Sequence, residues 1–172
     1  YKDLPAERPC ELEIISVSSR EDERDVLISK NKQVFKDLNH NSTIGTGSLR
    51  RNEQIKLIRD DLEYVPIRGN IDTRINKVLN NELDGIIIAA AGVIRLSLSK
   101  YISNFFKVDE IVPPPLQGFI AVEAKADFNS KNIFQGLCNP IDKIVAQYEY
   151  NALTQLNGSC DLPFGFNLKY IN

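Results

Sequence analysis

The sequence predicts an α/β protein: a parallel sheet core with crossover helices. The first observation behind this is the run from Gly85 to Ile94, GIIIAAAGVI. A continuous apolar stretch led by three isoleucines fits a strand buried on both faces, and it is far short of the roughly 20 residues that span a bilayer. The second is the alternation of strand-like and helix-like segments around that run, the pattern of strands joined by crossovers. The third is the triplet Pro113-Pro114-Pro115, which punctuates the chain and suggests a crossing between domains.

Taken in order, Leu12 to Ser18 (LEIISVS) reads as a strand, and a second strand ends at Thr43 to Thr46. Ser48 to Arg59 reads as a helix with Leu49, Ile55 and Ile58 toward the core. Glu63 to Ile67 is a strand, followed by a turn at Arg68-Gly69-Asn70. Ile71 to Asn81 is a helix whose Ile71, Ile75, Val78 and Leu79 share one face. The buried strand at 84–90, a short helix near 92–98 and a strand around 107–112 come next. Gln117 to Lys125 is a strand again. Ile141 to Leu156 is an amphipathic helix with Ile141, Ile144, Val145, Tyr148, Ala152 and Leu156 on one side, ending at Asn157-Gly158.

Composition narrows the function. The 172 residues carry 21 Lys+Arg against 23 Asp+Glu, a net charge of −2, which disfavours a general nucleic-acid or anionic-membrane binder. Three cysteines make no disulfide scaffold and point to a reducing compartment. One histidine and no CxxC pair make a metal site improbable on ligand grounds. The chain has no methionine and opens at Tyr1 with no signal-like segment, so it is expected to be a piece of a longer protein.

The placement of the arginines is more informative than their number. Arg50 and Arg51 follow the strand ending at Thr46, Arg68 follows the strand ending at Ile67, Arg74 lies in the next helix's first turn, and Arg95 comes shortly after the strand at 84–90. Each is at or beyond the carboxyl end of a strand, where open α/β sheets bind ligands. Cations in a helix's first turn oppose its dipole at about 0.3–1 kcal/mol each, a cost that a bound carboxylate or phosphate would reverse. Thr46, Gly47 and Ser48 add small side chains and free N–H groups there. The competing reading is a set of solvated arginines paired with acids such as Asp60, Asp61 or Asp72. No Gly-rich loop ending in Gly-Lys-Ser/Thr is present, which lowers the nucleotide option.

Two further residues carry chemistry. Cys160 sits in a polar turn sequence, Asn157-Gly158-Ser159-Cys160-Asp161, where a residue that is usually buried invites a chemical role, although for a lone turn cysteine an inert thiol is the commoner reading. Cys10 is also in polar surroundings, and Cys138 beside Leu137 reads as packing. Asp3, between Lys2 and Leu4-Pro5, is by itself a weak signal.

Several motifs, in series, resemble the porphobilinogen deaminase (hydroxymethylbilane synthase) family. Tyr1-Lys2-Asp3-Leu4-Pro5 resembles its HSxKDLP segment, Glu21 to Asp25 its REDxRD stretch, and Gly45 to Arg51 its GTSSLRR. Arg68 to Arg74 is similar to RGNVDTR, Asp84 to Leu96 to DAIILAAAGLKRL, and Ser159 to Gly165 to GCxxPxG. The resemblance implies an enzyme that joins four porphobilinogen molecules head to tail, losing ammonia each time, and releases a linear tetrapyrrole by hydrolysis. It implies a dipyrromethane cofactor held by a thioether to Cys160, and Asp3 as the catalytic carboxylate. Such a carboxylate stabilises positive charge on an electron-poor azafulvene and assists proton movement. Lys2, Thr46, Ser48, Arg50, Arg51, Arg68, Arg74, Arg95 and Gln117 would bind the acetate and propionate groups of cofactor and substrate.

The implied fold has two domains like type-2 periplasmic binding proteins and the start of a small α+β third domain. Residues 1–18 and 113–134 would be parts of the first, 19–112 the second, and 135–172 the start of the cofactor-carrying third. A monomer is expected, with porphobilinogen and oligopyrroles as partners, no nucleic acid and no membrane. The expected compartment is the cytoplasm, or an organelle stroma or matrix; the 172 residues alone are expected to be inactive. Gly47 replaces a serine of the family pattern, Pro114 to Phe119 stands at a VGQGA-type run, Tyr150 stands where an arginine often follows Glu149, and Asn157-Gly158-Ser159 replaces a glycine pair. These departures leave room for a non-catalytic module that holds a polycarboxylate.

Overall fold

The computed structural model describes residues 1–5, 8–156 and 163–169. Two sheets organise them. In the smaller, β1 (Leu12–Val17) pairs antiparallel with β7 (Ala121–Lys125), with a bulge between Ile14 and Ser16. The larger contains β2 (Asp25–Ser29), β3 (Thr43–Gly45), β4 (Glu63–Val65), β5 (Gly85–Ala89) and β6 (Asn104–Phe105), in the spatial order β4-β3-β5-β2-β6.

The α/β class is as expected, but the sheet is mixed rather than parallel. β3 runs parallel to both β4 and β5, whereas β2 is antiparallel to both β5 and β6. Strand β2 escaped the sequence reading because all five of its residues are buried, so it shows no alternation, and it begins with a charged residue. The strand expected around 107–112 is instead the two-residue β6 followed by turns. The strand expected from Gln117 starts only at Ala121.

The helices start where local chemistry allows. Helix α1 (Leu49–Lys56) follows β3, and its N-cap Ser48 accepts a bond from the Arg51 N–H at 3.4 Å. Helix α2 (Ile71–Leu79) follows β4 and is capped by Asn70, which accepts from the Thr73 N–H at 3.1 Å. The short α3 (Ala90–Arg95) follows β5. Helix α4 (Pro140–Gln155) is capped by Asn139, with Pro140 in its first turn, where a missing N–H costs nothing.

Both faces of the larger sheet are covered. Val26, Ile28, Ile86 and Ile88 pack on one side with Ile75 and Val78 of α2; Leu27, Ile87 and Ile44 pack on the other with Ile55 of α1. Neighbouring residues of β2 and β5 therefore point to opposite covered faces, each fully buried side chain contributing about 1.5–3 kcal/mol. Three side chains expected in the core are largely exposed: Leu49, Ile58 and Leu79. Only one side of each of these helices reaches the sheet, and Ile55, Ile75 and Val78 occupy it.

Helix α4 corrects the reading further. Ile141, Ile144, Tyr148 and Leu156 are exposed, while Val145, Ala146 and Leu153 pack with Val17, Leu116 and Phe119. The fourth buried residue of α4 is Glu149. No helix among the described residues is long and apolar enough to cross a membrane.

Candidate functional site

Helices α1, α2 and α3 all begin beyond the carboxyl ends of the parallel strands β3, β4 and β5. A cavity of about 570 Å³ opens at that edge. One wall comes from residues 47–51, Gly69 to Ile71, Arg74, Ala91, Gly92 and Arg95. Tyr1 to Asp3, Pro114, Pro115 and Gln117 to Ile120 line it as well, with Leu153 and Phe164. Among the described residues five basic side chains (Lys2, Arg50, Arg51, Arg74 and Arg95) share this lining with one carboxylate, Asp3.

Two of the expected site residues are elsewhere. Thr46 is buried behind the wall, where its hydroxyl accepts from the Ser48 N–H at 3.3 Å. Arg68 is exposed and does not line the cavity. Cys160 lies outside the described residues.

The acid that the sequence reading missed is Asp25. It is fully buried, and its two oxygens accept from the Arg50 guanidinium at 2.6 Å and the Arg51 guanidinium at 2.9 Å. The antiparallel insertion of β2 puts it there: Asp25, the first residue of β2, lies opposite Ala89, the last residue of β5. A parallel β2 would have carried that carboxylate to the far edge of the sheet. The arginines' partner is thus not Asp60, Asp61 or Asp72. The available signal was an aspartate ending a charged stretch and heading Val26-Leu27-Ile28.

Gln117 ties this cluster to the other wall. Its side-chain N–H2 donates to Asp25 at 2.9 Å and to the Glu23 carbonyl at 2.7 Å, while its oxygen accepts from Lys2 Nζ at 2.9 Å. Fully buried, it spans the N-terminal segment, β2 and the proline crossing. Arg50 is likewise engaged, donating its other terminal nitrogen to the Val112 carbonyl at 2.6 Å. Arg95 donates to the Gly118 carbonyl at 2.6 Å and Arg74 to the Gly69 carbonyl at 2.7 Å.

The electrostatics reflect crowded cations. Burial, and then the neighbouring Arg51, lower Lys2 to about 8. Arg74 is lowered for the same two reasons. Burial alone would raise Asp25, but the Arg51 and Arg50 guanidiniums outweigh it and bring its carboxyl down to about 2. Arg51 keeps a buried Nε with no acceptor among the described residues. Strained protonation in a cleft marks a functional site, and here every strained cation would be relieved by an incoming anion.

A second buried ion pair backs the site. Arg20 donates two bonds to Glu149 at 2.9 and 3.2 Å and a third from Nε to the Gln117 carbonyl at 3.0 Å, and it lies over the Phe119 ring. Beside it, Gly118 takes φ +93°, and a Cβ there would sit 2.3 Å from the Glu21 carbonyl oxygen. Only glycine lets these chains approach so closely.

Fold and cavity together define an α/β protein with a cationic cleft at the edge where three parallel strands end. Residues 1–132 match the family model described as "Porphobilinogen deaminase, dipyromethane cofactor binding domain", and the chain belongs to the porphobilinogen deaminase family. Porphobilinogen deaminase of Clostridium acetobutylicum is 41% identical over 171 residues, covering 99% of this chain and 59% of that protein. The Clostridium botulinum type Ba4 protein is 42% identical over 164 residues, covering 95% and 57%. The chain thus spans less than two thirds of the length of these relatives. Among solved structures, a periplasmic substrate-binding protein of an ABC transporter from Coxiella burnetii superposes with a TM-score of 0.46 at 15% identity, covering 83% of this chain and 68% of that one.

Proposed function

We propose that the protein carrying this chain is a hydroxymethylbilane synthase, a transferase of porphyrin biosynthesis. It condenses four porphobilinogen molecules into a linear tetrapyrrole with loss of ammonia, on a dipyrromethane attached through a thioether to Cys160. The observation that carries this reading is the cavity itself: among the described residues five basic side chains line one space, and one of them, Arg51, keeps a buried Nε with no acceptor. Acetate and propionate groups on each pyrrole supply the matching carboxylates, and the donor set fits them. Lys2, Ser48, Arg51, Arg74 and Arg95 would hold the dipyrromethane and the pyrroles joined to it, with Thr46 and Gln117 bracing the wall behind. When bound, that cofactor supplies the pyrrole end to which new units are added.

Asp3, the one carboxylate that the described residues bring to the lining, accepts a hydrogen bond from a pyrrole N–H and stabilises the positive charge that develops as ammonia leaves. Placed in the lining beside those cations, its carboxylate is the group that takes the proton lost on coupling. Arg68, exposed beside the rim, is proposed to meet carboxylates of the longer chain. The β1–β7 pair belongs to a first domain formed by residues 1–18 and 113–134. The five-stranded sheet belongs to a second, 19–112, and residue 135 onward begins the third. A monomer in the cytoplasm, or in an organelle stroma or matrix, completes the proposal.

One feature favours a non-catalytic polycarboxylate carrier instead. Gly47 lacks the hydroxyl of the family pattern, and a Cβ there would sit 2.8 Å from the Ile67 carbonyl oxygen. Intact mass of the full-length protein separates the two. A synthase carries a covalent dipyrromethane that Cys160→Ser removes, and Asp3→Asn keeps the added mass while turnover falls at least a thousandfold. An unmodified wild-type mass in a porphobilinogen-producing host supports the carrier.

A further inference from the structure

The two adjacent arginines at the start of α1 differ in what their guanidiniums can still do. Arg50 is 3% exposed and its two terminal nitrogens are taken by Asp25 and the Val112 carbonyl. Arg51 also rests on Asp25, with a long 3.4 Å contact to Gln117, but its buried Nε has no acceptor among the described residues. Among the described residues Asp25 is the only carboxylate that touches both, and it is itself fixed by Gln117. The carboxylate therefore holds Arg50 in a wall that takes both its terminal nitrogens, and holds Arg51 by one terminal nitrogen alone, leaving the second without a partner among the described residues in a side chain that lines the cavity.

We infer that Asp25 is a positioning residue for the cavity: bridging Arg50 and Arg51, it spends Arg50 on the wall and presents Arg51 to the ligand's carboxylates. A guanidinium binds a carboxylate well only in a fixed orientation, since its donors form a rigid fork. Two guanidiniums side by side without an anion between them would repel and turn apart. Asp25 removes that repulsion before the ligand arrives, so less ordering remains to be done on binding. The inference rests on the functional reading above, because the carboxylate-bearing ligand comes from it.

A double-mutant cycle on the full-length protein, using porphobilinogen as the probe, tests it. Asp25→Asn is expected to raise KM at least tenfold with kcat changed less than KM, and Arg51→Lys to do much the same. If Asp25 acts through Arg51, the double variant is no more than about threefold worse than either single one. Independent, multiplying effects would overturn the inference. A second readout is the alkaline limb of 1/KM. Lys2 is faced by Arg51 and Arg50 from α1, Asp25 from β2, Asp3 beside it and Gln117 from the crossing, and Asp25 supports its charge. Asp25→Asn should therefore move that limb to lower pH; an unmoved limb points to a merely structural carboxylate and counts against the inference.

Should Asp25→Asn not fold, Arg50→Lys and Arg51→Lys decide. Arg50→Lys is expected to cost more in Tm and less in KM than Arg51→Lys, and the reverse order overturns the assignment. Wild-type protein with no covalent dipyrromethane and no product would defeat the functional reading; an active wild type with a multiplying cycle defeats only the role of Asp25.

Discussion

Asp25 and Glu149 are both fully buried carboxylates paired with arginine, yet the protein drives one toward its charged form and the other away from it. Burial opposes ionisation in both. At Asp25 two guanidiniums overcome it and hold the carboxyl down to about 2. At Glu149 burial prevails and its pKa is raised, against the Arg20 charge and the backbone N–H groups of Leu168 and Leu116. The difference is one guanidinium. It places a robust anion behind the cavity, and a softer joint where α4 meets the chain at Arg20 and Leu116.

The largest effect that tests this contrast is on stability. Removing one partner of a buried ion pair typically costs 3–5 kcal/mol. Asp25→Ala strands two buried guanidiniums and is expected at about 5 kcal/mol. Glu149→Gln, which keeps an acceptor for Arg20 and gives up a charge the site disfavours, is expected at about 1–2 kcal/mol. Urea midpoints on the full-length protein check both, and equal losses would erase the distinction.

The next test is acid. Asp25 binds its proton less readily in the folded state than in the unfolded chain, so its contribution of about 2 kcal/mol is complete above its ordinary value of 3.8 and is lost as pH falls toward 2. Glu149 has the opposite sign. The folded state takes up its proton first, so its contribution to stability grows as pH falls through the raised value toward 4.5. Glu149→Gln should flatten the stability profile between neutrality and pH 4.5, and Asp25→Asn should make the loss below pH 4 shallower. Circular dichroism along an acid titration reads both limbs.

That same pair shows where sequence reasoning reaches and where it stops. The buried run of β5, the caps at Ser48 and Asn70, and the gathering of Arg50, Arg51, Arg74 and Arg95 beyond strand ends are local patterns, and local patterns are legible. The partner of Glu149 is Arg20, 129 positions away, and that of Asp25 is an arginine pair 25 and 26 positions on. Nothing in their neighbourhoods says which acid goes inside. The face of α4 was misread for a related reason. Ile141, Ile144 and Tyr148 make a better apolar stripe than the one actually buried, because that stripe includes Glu149. The direction of β2 was equally invisible, since connection lengths around a buried strand do not set its sense.

The last test lies at the joint itself. Leu116 takes φ +66°, the left-handed region, while its side chain is almost wholly buried with Val17, Phe119 and Val145 and its N–H donates to Glu149. That backbone costs a non-glycine residue roughly 1–2 kcal/mol, offset by a leucine's worth of packing. Leu116→Ala keeps the strain and loses the packing, so about 3 kcal/mol is expected. Leu116→Gly loses the same packing but relaxes the backbone, so its net cost should be nearer 1–2 kcal/mol. Glycine is thus expected to be better than alanine here, against their usual order in folded segments. Thermal unfolding of the two variants decides it: an alanine variant as stable as the glycine one would mean that Leu116 carries no strain, and that the softness of this joint belongs to Glu149 alone.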